Sequence, residues 1–382
     1  MVIMTKNVKV SSIENITKNY YYKIIMSNNS LKKEGYNYAS QDESLVDSVL
    51  CGKILPKVIE HVPFGLPANI ITICSNTCVF IAFLIAMLST KGITKLWFAI
   101  PFLIPAYLFG DCLDGMQARR TKTGSPLGEY LDHFLDCFVN AELIIPVLVC
   151  YKIVNPWIVF VILSKAYITQ AVAFWERYKN GHMYFGRFSS TEVILTFTVI
   201  ITIAYFDSVV NGALITLGSF GFIQNIFGSS CQWLQKLTIA EAVVCTFVVF
   251  SLISDLFNFI RTRGASIRFW AYCAASILVA ILFAIRNPDY HYIPYYIVVL
   301  FNIDYIASLI VAITMKKTDP HADYIFVAFV VITFVLKLES PVILIIELAY
   351  VLVKIIVRAV WFITKHRRYW VWKNPSLPQE NY

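Results

Sequence analysis

The sequence predicts an all-α fold, a polytopic integral membrane helix bundle of about ten transmembrane helices. Three observations lead there. Of 382 residues, 58% are hydrophobic and only 15% charged, with a mean hydropathy of +0.65, a balance that one water-soluble core cannot absorb. From residue 67 onward, apolar runs of about 20 residues, the length that crosses a bilayer, follow one another across short polar gaps. The basic residues are distributed unequally between alternate gaps.

Residues 1–35 are rich in Asn, Lys and Ser and hold no long apolar run, so they are expected to form a polar cytosolic tail. Residues 36–66 alternate apolar and polar positions at helical spacing and close on Pro63 and Pro67, the pattern of an amphipathic segment lying on the membrane surface. The membrane domain then occupies 67–364. Its spans are predicted near 68–89, 96–114, 127–150, 153–175, 191–206, 237–260, 268–285, 293–315, 322–337 and 341–363. The stretch 207–235 reads as a re-entrant or interfacial segment, and 365–382 as a second cytosolic tail.

With the N-terminus cytosolic, the inner gaps carry Arg119, Arg120 and Lys122, then Arg177, Lys179 and Arg187, then Arg261, Arg263 and Arg268, then Lys316 and Lys317. The outer gaps hold Lys91, Lys95, Lys152, Arg286, Lys337 and Lys236. This asymmetry favours an even number of spans with both termini inside. A net charge of +8 placed between apolar runs orients the chain and meets anionic head groups, so no nucleic-acid partner is expected. The nine cysteines are odd in number and lie mostly inside apolar runs, where they read as small apolar helix residues.

Chemistry concentrates in DCLDGMQARRTKTGSPLGEYLDHFLDC, which begins at Asp111. Helical spacing puts Asp111, Asp114, Gly115 and Ala118 on one face, and Gly128, Asp132 and Asp136 on one face of the next helix. The turn residues of TKTGSP reverse the chain, so the two acidic faces meet at the helix ends. Four opposed carboxylates require cations. Oxygen-only ligands suit two hard ions, Mg²⁺ or Mn²⁺, held by Asp111, Asp114, Asp132 and Asp136. Such sites are completed by substrate phosphates, for which Gly115, Ala118 and Gly128 leave room and Arg119 supplies a clamp.

The run Asp111-x2-Asp114-Gly115-x2-Ala118-Arg119-x8-Gly128-x3-Asp132-x3-Asp136 resembles the signature of the CDP-alcohol phosphotransferases. DGMQARRTKTGSPLGEYLDH is similar to the choline/ethanolamine phosphotransferase branch, as are YNYASQDESLV, NIIT at 69–72, WERYKNG with TEV at 175–193, and MKKTDPHAD at 315–323. Where the family tends to have Ala-Pro-Asn, this chain has Pro67-Ala68-Asn69. The resemblance implies transfer of phosphocholine or phosphoethanolamine from a CDP-alcohol to the hydroxyl of diacylglycerol, releasing CMP. It implies a CDP-alcohol site built from Asn69, Asp111, Gly115, Gln117, Ala118, Arg119 and Gly128, and a homodimer. In a eukaryotic cell it implies the endoplasmic reticulum or Golgi, and in a bacterium the inner membrane, with the motif facing the cytosol.

The lipid hydroxyl must lose a proton, and the groups in reach are His133, Glu129 and Asp136; the resemblance of GEYLDH to the choline/ethanolamine branch implies His133 as the base with Glu129 orienting it. Ionisable residues inside other apolar runs, Glu142, Lys165, Glu192, Glu241, Asp255, Asp304 and Glu347, are weaker functional candidates, Glu192 foremost among them. Two alternatives stand beside this reading. One is the same chemistry with another head group or acceptor, of alkyl-acyl-glycerol, ceramide or inositol type. The other is an ion-coupled transporter, whose site would lie near the bilayer midplane on broken helices.

Overall fold

The computed structural model describes residues 40–42, 44–186, 189–220, 232–286, 292–338 and 340–367. The expected tail at 1–35 lies outside them, as do most of 365–382 and part of 207–235.

A short strand β1 (Ser40–Asp42) leads into α1 (Leu45–Val49), a π-helical turn (Leu50–Ile54) and α2 (Leu55–Val58). The long helices follow: α3 (Ala68–Ser89), α4 (Ile100–Thr121), α5 (Pro126–Cys150) and α6 (Pro156–Asn180). After strand β2 (Met183–Phe185) come α7 (Ser190–Ile203), α8 (Asp207–Ala213), α9 (Gln232–Lys236) and α10 (Ile239–Thr262). The chain closes with α11 (Ile267–Arg286), α12 (Ile293–Thr314), α13 (Tyr324–Val335) and α14 (Pro341–Lys365). One departure from an all-helical expectation is the parallel pairing of β1 with β2, Ser40 opposite Met183, which joins the N-terminal arm to the segment after α6.

Local chemistry explains the boundaries. Before α5, α6 and α14 stand Ser125-Pro126, Asn155-Pro156 and Ser340-Pro341. In each pair the polar side chain accepts an amide of the first turn, and the proline occupies a position whose missing N–H costs nothing. Capping boxes start α7 (Ser189 with Glu192) and α10 (Thr238 with Glu241). Glu241 and Glu192 are therefore helix caps. Glu192 Oε1 also accepts Ser44 Oγ at 2.6 Å and the Val46 amide at 3.1 Å, which ties the N-terminal arm to α7 and accounts for the carboxylate without a reacting partner.

Each of the ten predicted spans contains a helix. Among the described residues, seven helices are long and apolar enough to cross a bilayer, and up to eight if α7 and α8, bent by 112° at their break, count as one span. Of the other two, α13 has only 12 residues, and α14 carries Glu347, Lys354 and Arg358 along its length. The centre of the bundle is α12, buried along most of its length from Pro294 to Ala312. On the outside, α10 exposes Val249, Phe250, Leu252, Ile253, Leu256, Phe257 and Ile260, the face an apolar solvent would cover.

Most of the remaining charges within apolar runs turn out to pair between helices. Lys165 Nζ meets Asp255 at 2.7 Å, Arg286 meets Glu347 at 3.3 Å with Thr333 donating to the same carboxylate, and Asp304 accepts Lys354 and Arg358. A charge stripped of water stays in the bundle only when its partner is built in.

Candidate active site

The site forms where α4 and α5 run antiparallel. At the end of α4, Lys122 adopts a left-handed conformation (φ 56°) that stops the helix, and three residues later Ser125 Oγ accepts the Gly128 amide at 3.1 Å to start α5. α3 lies against the same pair. Its approach to α4 is very close at Gly110, where a Cβ would fall 2.5 Å from that of Ser75. Glycine here lets the two backbones close beside Asp111.

This geometry carries Asp111, Asp132 and Asp136 together, each offering a carboxylate oxygen within 4.8 Å of the other two. The cluster is recessed rather than terminal. Asp111 stands about 15 Å before the end of α4 and Asp132 about 9 Å into α5, counting about 1.5 Å per residue. Tyr107, one turn before Asp111, donates its hydroxyl to Asp136 Oδ1 at 2.9 Å. Asp114 is buried outside the three-carboxylate group and accepts the Thr72 hydroxyl of α3. Oδ1 of Asp132 is buried and has no hydrogen-bond partner among the described residues. Three converging carboxylates with one such oxygen fit a hard divalent cation, which takes oxygen ligands and cancels their repulsion.

The other predicted residues have distinct surroundings. The side-chain oxygen Oδ1 of Asn69 lies 3.1 Å from where a Gly128 Cβ would stand, and Arg119, exposed, folds its guanidinium to 3.2 Å from the equivalent point on Gly115. Both glycines are thus capped by a polar group of the predicted nucleotide site. Ala118 is half-buried. Gln117, by contrast, is fully buried and spends its amide on the carbonyls of Pro63 (3.0 Å) and Leu66 (2.8 Å), anchoring the loop before α3. Arg120 binds the carbonyls of Ile59 and Val62 in the same loop.

Glu129 and His133 stand one turn apart on α5, flanking Asp132. Arg177, near the end of α6, pairs with the Glu129 carboxylate and places Nη1 2.7 Å from His133 Nε2. His133 Nδ1 faces Asp132 at 3.8 Å. A guanidinium can only donate, so Nε2 is the acceptor and the ring proton sits on Nδ1. Sequence reasoning assigned Arg177 to a polar gap; in the fold it is buried beside the acidic cluster. Its place within WERYKNG, already distinctive, was the available signal. Tyr107 and Thr72 were also missed, although Tyr107 precedes Asp111 by one helical turn.

Residues 66–248 match the model of the CDP-alcohol phosphatidyltransferase family. The chain carries a CDP-alcohol phosphatidyltransferase domain. The domain holds every residue of the acidic motif together with Arg177. A CDP-alcohol phosphatidyltransferase class-I family protein from Dictyostelium discoideum is 29% identical over 227 residues, covering 57% of this chain and 55% of that protein. Cholinephosphotransferase 1 of Gallus gallus is 32% identical over 98 residues, 25% of this chain and 29% of its own length. Ethanolaminephosphotransferase 1 of Mus musculus is 28% identical over 114 residues, 28% of each chain. The alignments thus span 55% of the Dictyostelium discoideum protein and under a third of the two named transferases.

Proposed function

We propose that the protein transfers phosphocholine or phosphoethanolamine from a CDP-alcohol to the hydroxyl of diacylglycerol, releasing CMP. The observation that carries this reading is the convergence of Asp111, Asp132 and Asp136 to within 4.8 Å inside a bundle of membrane-length helices. Asp111, Asp114, Asp132 and Asp136 would hold two ions, Mg²⁺ or Mn²⁺. Bound there, such ions neutralise a diphosphate and stabilise the charge that builds on departing CMP.

The chain's own groups do the rest. Arg119 and Asn69, on the two glycine-lined faces, are assigned to the CDP moiety, with Gly115, Ala118 and Gly128 leaving it space. As the lipid oxygen bonds to the β-phosphorus and the bridge to CMP breaks, the hydroxyl proton must pass to a base. Asp136 is the acceptor best supported by the resting geometry, because Tyr107 occupies only one of its oxygens. His133 is the second, and it acts only if Arg177 releases Nε2. The recessed site suits two substrates from different solvents, the nucleotide from water and the lipid from the bilayer. The basic residues that end α4 and α6 support a cytosolic orientation, in the endoplasmic reticulum or Golgi of a eukaryotic cell, and the working unit is taken as a homodimer.

The test is CMP release by purified full-length protein with Mg²⁺, diacylglycerol and a panel of CDP-alcohols. CDP-choline or CDP-ethanolamine should give the fastest release, and chelation of the metal should abolish it. Absence of CMP with every donor and acceptor would refute the assignment, and solute uptake into proteoliposomes without CMP would replace it with transport.

A further inference from the structure

Beside the acidic cluster lies a second group of ligating atoms that the phosphotransferase chemistry does not use. Asp47 on α1, Cys51 in the π-helical turn and Cys112 on α4 each present one ligand atom within 4.8 Å of the other two. Cys112 Sγ is 3.9 Å from Asp47 Oδ1, and both cysteines are thiols, outside any disulfide. In a tetrahedral zinc site, bonds of about 2.3 Å to sulfur and about 2.0–2.2 Å to oxygen put neighbouring ligands about 3.4–3.8 Å apart. The three atoms are therefore within about 1 Å of that spacing.

The supports of this group are also in place. Thr191 Oγ1 donates to Asp47 Oδ1 at 3.0 Å and so orients the carboxylate, while Ser44 Oγ accepts the Asp47 amide at 3.0 Å and fixes the backbone that carries it. Ordered partners of this kind fix a metal ligand's direction and raise its affinity. Cys51 lies in a π-helical turn, a local widening that recurs at functional sites and that here brings a position four residues after Asp47 towards α4.

From this geometry we infer that Asp47, Cys51 and Cys112 form a site for one thiophilic divalent cation, of the Zn²⁺ class, separate from the hard-ion site of the aspartates. Two thiols and a carboxylate exclude Mg²⁺, which requires oxygen. Three ligands from this chain leave the fourth position to water. An ion there would staple the N-terminal arm to α4 one residue from Asp111.

Titration of the reduced full-length protein with Co²⁺ in detergent tests this through the thiolate-to-cobalt charge-transfer band, which carboxylate sites do not produce. One equivalent should develop the band, Zn²⁺ should erase it, and Asp111→Asn should leave it intact. Cys51→Ser and Cys112→Ser should each abolish it, whereas Cys74→Ser, on α3 four residues before Cys78, should not. Should a cysteine variant fail to fold, alkylation of the wild type followed by peptide mass spectrometry serves instead, with Zn²⁺ protecting Cys51 and Cys112 together. No band in the wild type, a band that survives Cys112→Ser, or alkylation of Cys51 and Cys112 that Zn²⁺ does not slow would overturn the inference.

Discussion

Arg177 bridges Glu129 and His133, pairing with the carboxylate of one and setting Nη1 2.7 Å from Nε2 of the other. The arrangement joins α6 to the face of α5 that carries Asp132, with both charged side chains less than a tenth exposed. Removing one partner strands a charge where water cannot reach it. Arg177→Leu should cost about 3–5 kcal/mol, read as a lowered midpoint of thermal unfolding in detergent, while Glu129→Leu combined with Arg177→Leu should recover much of the loss. Additive losses in the double variant would show that the bridge is not energetically coupled.

The crowded carboxylates oppose one another in the metal-free protein. Asp111→Asn, Asp132→Asn and Asp136→Asn should each lower CMP release by about 100-fold or more, the scale on which metal sites fail when a ligand or its support is lost. In metal-free buffer the same variants should unfold at equal or higher temperature than the parent, because each removes one repelling charge. A variant that loses activity and stability together would point to a structural role.

Tyr107 donates to Asp136 Oδ1 without joining the acidic cluster itself. Loss of one such hydrogen bond is worth about 0.5–1.5 kcal/mol, so Tyr107→Phe should reduce kcat by about 2- to 12-fold. KM for the CDP-alcohol should stay constant, since the hydroxyl orients a carboxylate and binds no substrate. Steady-state kinetics at saturating lipid separates the two parameters.

Gly110 is the point at which α3 and α4 touch. Gly110→Ala should push the helices apart at a cost of about 1–3 kcal/mol, and Ser75→Gly in the same chain should restore stability by removing the opposing Cβ. Thermal unfolding of the two single variants and the double variant decides this.

Much of the site was legible in the sequence because helical periodicity alone puts Asp111 with Asp114, and Asp132 with Asp136, on shared faces, and a Thr-Gly-Ser-Pro turn folds one face onto the other. What could not be read was how deep the carboxylates lie, since depth depends on where Lys122 ends α4 and Ser125 begins α5. Periodicity also misplaced Arg177. A basic residue at the end of an apolar run looks like a topology signal, and only the proximity of α6 to α5 gives it Glu129 as a partner. Glu192 misled in the opposite direction: an acid in an apolar segment suggested chemistry, whereas its three-residue spacing from Ser189 was already that of a capping box.

By itself the sequence determined the composition of the bundle, the order of its helices and the chemistry of the acidic motif, because these follow from local spacing and from the cost of putting polar groups in lipid. The tertiary structure decided what spacing cannot encode. It brought Thr72, Tyr107 and Arg177 from other turns and helices to the motif, left Asp114 outside the closest carboxylate group, and set Cys51 against Cys112 across 61 residues of chain. Such long-range meetings depend on which helices pack together, and close approaches such as Gly110 against Ser75 set that packing.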